Sequence, residues 1–384
     1  MAWRTAPCET QQFPDLAKSM NHLPPGNLRR NFLARLSWSV IASGSLGSTP
    51  TFGAESWHFV VSGDSRNCGN VVMPSIAAGA RTHDAKFYWH LGDWRAIYDF
   101  DEDFRILHPT ASIAEYLTTA WLDSERNQLE PFGDTPVFIG IGNHEIIPPK
   151  TRNEFALTFA DWLNAPPIRE QRLKDDPHDH EVRTYYHWVR DGVDFINLDN
   201  STPEQFDSKQ LKWLTALLER DSLDAGIRAV VVGMHEALPD SLSRGHSMSE
   251  SPTGELTGRQ VYERLLQVRR IKPAYVLASH SHFVMEGIFE SPYWHEHGGV
   301  LPGWIVGTAG AVRYALPPEA AAAHFARTQV YGYLLATVTP KGGHTEDPIR
   351  FEFREVTEAV VPPTVVERFG REFVQQCYEG NFRG

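Results

Sequence analysis

Pro136-Val137-Phe138-Ile139-Gly140-Ile141-Gly142-Asn143-His144-Glu145 is an apolar run that stops at a glycine and then presents an amide, an imidazole and a carboxylate. A short run of this kind, bounded by Gly and polar residues, predicts a buried strand. Four other stretches repeat the arrangement. Trp57–Ser62 ends at Gly63-Asp64, Lys86–Leu91 at Gly92-Asp93, Arg228–Gly233 at Met234-His235, and Ala274–Ala278 at Ser279-His280. Each predicted strand therefore delivers an Asp, Asn or His to its carboxyl end. In open α/β sheets ligands bind at that end, so Asp64, Asp93, Asn143, His235, His280 and His282 are expected along one edge.

Helical spacing fills the intervals, over Ile113–Leu122, Asn153–Leu163, Ser208–Leu218 and Arg259–Val268. Leu211, Leu214, Leu217 and Leu218 form an apolar stripe at that spacing, with Trp213 read as core. Asp191-Gly192 between Tyr185–Val189 and Val193–Asp199 predicts a hairpin. Later strands are expected at Trp304–Gly307, Tyr331–Val338 and Arg350–Val356, and a helix at Val365–Cys377. Ala320–Ala323 reads as helical, and the charged stretch Arg169–His180 as a solvated loop. Strands alternating with helices make this an α/β protein.

The chain has 384 residues and a formal charge of -12. An acidic surface argues against nucleic acid as a general partner, because phosphate backbones recruit basic patches. Any phosphate handled here must meet a local positive field, and bound metal ions supply one. Leu28-Arg29-Arg30-Asn31-Phe32-Leu33 is a twin-arginine pattern, followed by an apolar stretch from Leu36 to Leu46 and small residues up to Ala54. That order predicts an export signal in residues 1–54, read by the twin-arginine machinery and removed, with a periplasmic or extracellular destination. The apolar stretch is too short for a stable membrane span. Cys8 would leave with the signal. Cys68 and Cys377 would remain in an oxidising compartment, where pairing is open to them although the sequence does not show that they meet.

Two carboxylates, one amide oxygen and three imidazoles form a mixed oxygen and nitrogen ligand set. Such a set suits Zn²⁺, Mn²⁺ or iron better than Ca²⁺ or Mg²⁺ alone. The ordered series Gly63-Asp64-Ser65-Arg66, Gly92-Asp93, Gly142-Asn143-His144-Glu145, Gly233-Met234-His235-Glu236 and Ser279-His280-Ser281-His282 resembles the calcineurin-like metallophosphoesterases, with a lean toward their purple-acid-phosphatase-like members. The resemblance covers roughly residues 57–310 of the chain and implies a two-sheet β-sandwich flanked by helices, in four layers. It places that domain over 55–360, with 361–384 as a tail.

The resemblance also implies roles. Asp93 would bridge two metal ions, Asn143, His235 and His280 would complete the second ion's shell, and Asp64 and His282 would hold the first. His144 would face the phosphate and assist the leaving group, with Glu145 orienting polar groups nearby. The implied reaction is hydrolysis of a phosphate monoester or diester of a small substrate by a metal-activated water.

The match breaks in the first motif, where the family commonly has a histidine two residues after the Asp and this chain has Arg66. Guanidinium cannot ligate a metal, so the first ion would bind weakly or be absent. Arg66 then reads either as a clamp on phosphate oxygens or as an ion pair fixing a loop carboxylate. The tyrosine that purple acid phosphatases place three residues after the bridging Asp is here Ala96, with Tyr98 two residues late. Ser279 replaces a usual Gly. His83, His90 and His108 are spare imidazoles. Specificity is expected in loops 99–112, 165–183, 239–256 and 290–302, where Tyr293-Trp294-His295-Glu296-His297 reads either as pocket lining or as surface. The alternative to an enzyme is a degenerate member that binds phosphate or a partner without catalysis.

Overall fold

Trp57–Ser62, Ala85–His90 and Val137–Ile139 lie side by side as parallel strands. The structure is a computed structural model that describes residues 55–201, 205–339 and 347–383. The expected export signal lies outside the described residues. Gly332–Val338 and Ile349–Glu355 add antiparallel strands beyond Trp57–Ser62, giving a five-stranded sheet. A second sheet of seven strands runs in the order Phe325–Arg327, Val284–Glu286, Gly303–Val306, Ala274–Ala278, Ala229–Gly233, Val193–Asn197 and Tyr186–Arg190.

Aromatic side chains hold the sheets face to face. Phe59 stacks on Phe87 at 5.0 Å, and both meet Phe195 of the other sheet edge-on at 5.1 Å. Phe138 stacks on Trp188 at 3.8 Å, again across the sandwich. Offset and edge-on aromatic pairs bury large apolar areas with defined geometry. The two-residue strand period sorts Ala229 and Val231 into this inner core and Val230 and Val232 into an outer one. There Leu214 and Leu218 of helix Ser208–Leu223, and Val261 and Leu265 of helix Pro252–Arg269, cover the second sheet. Helix Gly69–Thr82 packs on the other side against Ala85–His90 and Gly332–Val338. The result is the expected four-layer helix, sheet, sheet, helix sandwich.

Several elements differ from the sequence reading. Helix Gly69–Thr82 contains Pro74 and Gly79, which argue against helix by propensity, but burial of Val71, Val72, Met73 and Ile76 overrides them. Arg169–His180 is not loop throughout, because helix Pro166–Asp175 takes up its first half. Pro166 suits a first helical position, and Ile168 and Gln171 are buried one turn apart. The single helix expected over Asn153–Leu163 breaks at Phe159 into Arg152–Thr158 and Ala160–Leu163. The tail helix breaks at Gly370, whose φ of 83° ends Pro363–Phe369 before Arg371–Glu379 begins. Ala320–Ala323 lies mostly within the short 3₁₀ turn Pro318–Ala322. Val365, Phe369, Phe373 and Val374 bury the tail beside helices Gly69–Thr82 and Glu102–Leu107, and Cys377 is bonded to Cys68 with 5.9 Å between their Cα atoms.

Candidate metal centre

Asp64, Asp93 and His280 each sit just past a strand with φ of 61°, 61° and 64°. Residues with a Cβ rarely adopt this left-handed conformation, and they cluster at functional sites when they do. Neighbouring loops hold the turns in place. The Asp64 N–H donates to Gly92 O and the Ser65 N–H to Asp93 O, each at 2.9 Å. Close approach also explains Gly142, where a Cβ would lie 2.6 Å from the Asp93 amide nitrogen and 2.9 Å from His235 Cε1.

Four ligand atoms converge on the half of the site beside Asn143. His235 Nε2 lies 3.0 Å from Asn143 Oδ1, 3.0 Å from His280 Nδ1 and 3.3 Å from Asp93 Oδ1. His235 Nδ1 faces the Leu91 carbonyl and Ser279 Oγ, each at 3.1 Å. A carbonyl only accepts, so Nδ1 carries the proton and Nε2 turns a bare lone pair into the cleft. Burial holds His280 well below the usual imidazole range, so it stays neutral. Burial pushes Asp93 upward, but the charges facing it, the Arg66 guanidinium among them, outweigh burial and keep the carboxyl ionised. Its Oδ1, beside His235, accepts the His144 N–H at 3.1 Å, whereas the buried Oδ2, on the Arg66 side, accepts no hydrogen bond, and neither does Asp64 Oδ1 beside His282. Oxygen and imidazole lone pairs that converge without a donor between them fit a divalent cation. Asp93, Asn143, His235 and His280 are thus suited to hold one.

The other half gathers Asp64, Asp93 and His282, with Asp64 Oδ1 3.3 Å from His282 Nε2. His282 Nδ1 faces the Val312 carbonyl at 2.5 Å, which again leaves Nε2 as the acceptor. Here that acceptor is already engaged, because Arg66 Nη2 lies 3.1 Å away. Arg66 also reaches Asp93 Oδ2 at 3.8 Å through Nε, and the hydroxyls of Tyr98 and Tyr314 at 3.3 Å each. The residue that breaks the motif therefore stands inside the cleft.

His144 enters the same space. Its Nδ1 is fixed on the Ala96 carbonyl at 2.6 Å, and Nε2 faces Asp93 Oδ2 at 3.7 Å. Burial lowers its affinity for a proton, although Asp93 pulls the other way. Glu145 accepts hydrogen bonds from the N–H groups of Asp93, Gly142 and Trp94 at 2.8–2.9 Å. It clamps two ligand-bearing loops together. Ser279 spends its hydroxyl on Leu91 O at 3.1 Å while supporting His235.

All six expected ligands reach one cleft, together with His144 and Arg66. The sequence reading missed Tyr314, stacked on His282 at 4.1 Å, and His246, 5.4 Å from the His280 ring and stacked on Tyr314. The only signal for either was His246 falling in the loop 239–256. The spare imidazoles are structural. His90 is buried, stacks on Trp94 at 3.6 Å and is held near 3 by burial. His83 and His108 terminate helices Gly69–Thr82 and Glu102–Leu107. The Tyr293–His297 stretch is not pocket lining, since Trp294 stacks on Tyr262 at 3.5 Å and His295 pairs with Glu290 at 2.8 Å.

Among solved structures, the chain superposes on a purple acid phosphatase from yellow lupin seeds, Lupinus luteus, with a TM-score of 0.52 and 14% identity. The match covers 78% of this chain and 52% of the lupin chain, so it spans about half of that protein. The fold is that of the calcineurin-like metallophosphoesterases. A dimetal phosphatase from Danio rerio matches with a TM-score of 0.45 and 13% identity, over 78% of this chain and 96% of that one. The Plasmodium protein GAP50, the anchor in the inner membrane complex, matches at 0.45 and 9%, over 86% and 97%. No protein-family model and no curated protein sequence matches the chain. On this metallophosphoesterase fold the converging ligands occupy the carboxyl ends of parallel strands from both sheets.

Proposed function

We propose that the chain is a metal-dependent phosphoesterase acting on a small phosphate monoester or diester. One observation carries the reading: Asp93 Oδ1, Asn143 Oδ1 and His280 Nδ1 all lie within 3.3 Å of His235 Nε2, with the His144 ring at the same carboxylate. A divalent or transition metal held there neutralises phosphoryl oxygens and lowers the pKa of a bound water. Asp93 belongs to both ligand groups and is the residue through which a second ion, were one bound, would be shared. His144 keeps its Nδ1 proton on Ala96, so only Nε2 is free to carry a proton to the leaving oxygen. An anionic substrate beside it favours the charged imidazolium and offsets the effect of burial.

Turnover of p-nitrophenyl phosphate and bis(p-nitrophenyl) phosphate by the purified chain tests the reading. Activity on at least one is expected to vanish with a chelator and return with Zn²⁺, Mn²⁺ or iron. Asp93→Asn is expected to lower kcat/KM about 10³-fold, a loss of about 4 kcal/mol in transition-state stabilisation. Wild-type turnover in that variant contradicts catalysis at this site. The reading extends to location. Twin-arginine export carries folded proteins, and a chain folded around its metal and then closed by Cys68–Cys377 in an oxidising compartment is consistent with a periplasmic or extracellular enzyme. No helix of the described residues is long and apolar enough to cross a membrane.

A further inference from the structure

We propose that this chain works with one metal ion rather than two, and that the Arg66 guanidinium, flanked by the Tyr98 and Tyr314 hydroxyls, takes the second cation's place as the grip on a phosphoryl oxygen. The inference rests on the phosphoesterase reading and refines it.

Three observations carry it. The Asp64, Asp93 and His282 group has its one imidazole acceptor occupied, since His282 Nε2 receives Arg66 Nη2 at 3.1 Å. A divalent ion there would lose that ligand and meet a like charge, and guanidinium does not give up its proton to make room. Second, Asp64 is half employed. Its Oδ2 accepts the His280 N–H at 2.9 Å and so positions a ligand of the other half, while Oδ1, like Asp93 Oδ2, is left as an unpaired anionic oxygen whose charge Arg66 balances. Third, Arg66 is buried yet under-used. It is 6% exposed, its Nε makes no hydrogen bond, its two tyrosine contacts are long at 3.3 Å, and Asp93 is 3.8 Å away. A buried guanidinium normally meets carboxylates or phosphates through short paired bonds. This one keeps spare donors in the cleft where a phosphoryl group must sit. With one divalent ion it outweighs Asp64 and Asp93 by one charge, which suits an anionic substrate.

The test counts ions. The full chain is saturated separately with Zn²⁺ and with Mn²⁺, freed of excess by gel filtration, and analysed by elemental mass spectrometry. The expected result is one ion per chain, unchanged in His282→Ala and lost in His235→Ala. Arg66→Ala is expected to bind a second ion. When loaded with one equivalent of metal, it is expected to bind inorganic phosphate about tenfold more weakly by calorimetry. Two ions in the wild type, with His282→Ala dropping to one, overturn the inference and leave the phosphoesterase reading standing. No ion in the wild type removes both. If Arg66→Ala does not fold, the His282→Ala count decides alone.

Discussion

Arg66 and Arg95 each lie two residues past a strand-end aspartate, both are buried, and they are held in opposite ways. Arg95 gives Nη1 to Asp103 at 2.7 Å, Nη2 to Asn70 at 2.6 Å and to Asp123, and Nε to Ser124 at 2.8 Å, with Asp101 at 3.7 Å. Burial works against its charge, and three carboxylates outweigh burial. Those carboxylates also hold backbone. Asp101 accepts the Asn67 N–H at 2.5 Å and Asp103 accepts the Asn70 N–H at 2.7 Å, which ties the loop after Asp93 to the loop after Asp64. Arg66 has one bond of ordinary length, to His282 at 3.1 Å, and no carboxylate closer than 3.8 Å. A buried cation whose donors are all used fixes a loop, whereas one with donors to spare is available to a ligand.

The largest expected effect on stability is therefore at Arg95. Arg95→Met strips three buried carboxylates of their partner and should cost about 4–5 kcal/mol in urea denaturation. Arg66→Ala should cost less, about 1 kcal/mol, while impairing phosphate binding, because it removes one ordinary hydrogen bond and no close carboxylate pair. Equal destabilisation by the two substitutions would break the comparison.

The same contrast explains what the sequence revealed. The candidate ligands were legible because each follows an apolar strand, four of the six at a Gly-bounded turn, a pattern written locally as in Gly142-Asn143-His144. The sandwich followed from the alternation of those strands with helices. Arg66 was visible as a departure from the motif, but its two readings could not be separated, since its partners are 32 and 248 positions away at Tyr98 and Tyr314. Helix Gly69–Thr82 was hidden by Pro74, and helix Pro166–Asp175 by its charge, because tertiary burial decided both. The pairing of Cys68 with Cys377 spans 309 positions and depends on the tail docking in the core.

His187 sharpens the comparison with a smaller effect. This buried imidazole sits between Asp194 at 2.9 Å and Asp175 at 2.5 Å, with Arg220 and Asp221 nearby. Burial alone would lower it, but the two carboxylates raise it to about 9 from 6.5. A raised folded-state value stabilises below the unfolded value and is lost as pH climbs through the folded one. The His187 contribution, at most about 3 kcal/mol, should thus be full below about pH 6.5 and gone above about pH 9. His187→Gln should flatten that fall in denaturant titrations, and an unchanged pH profile would show that the cluster does not hold a charge as Arg95 does.

Anomalous X-ray scattering from crystals grown with Zn²⁺ tests the central claim most directly. The account predicts a metal peak about 2.0–2.2 Å from Asp93 Oδ1, Asn143 Oδ1, His235 Nε2 and His280 Nδ1. A peak anywhere else in the molecule, with that cleft empty at saturating metal, would contradict it.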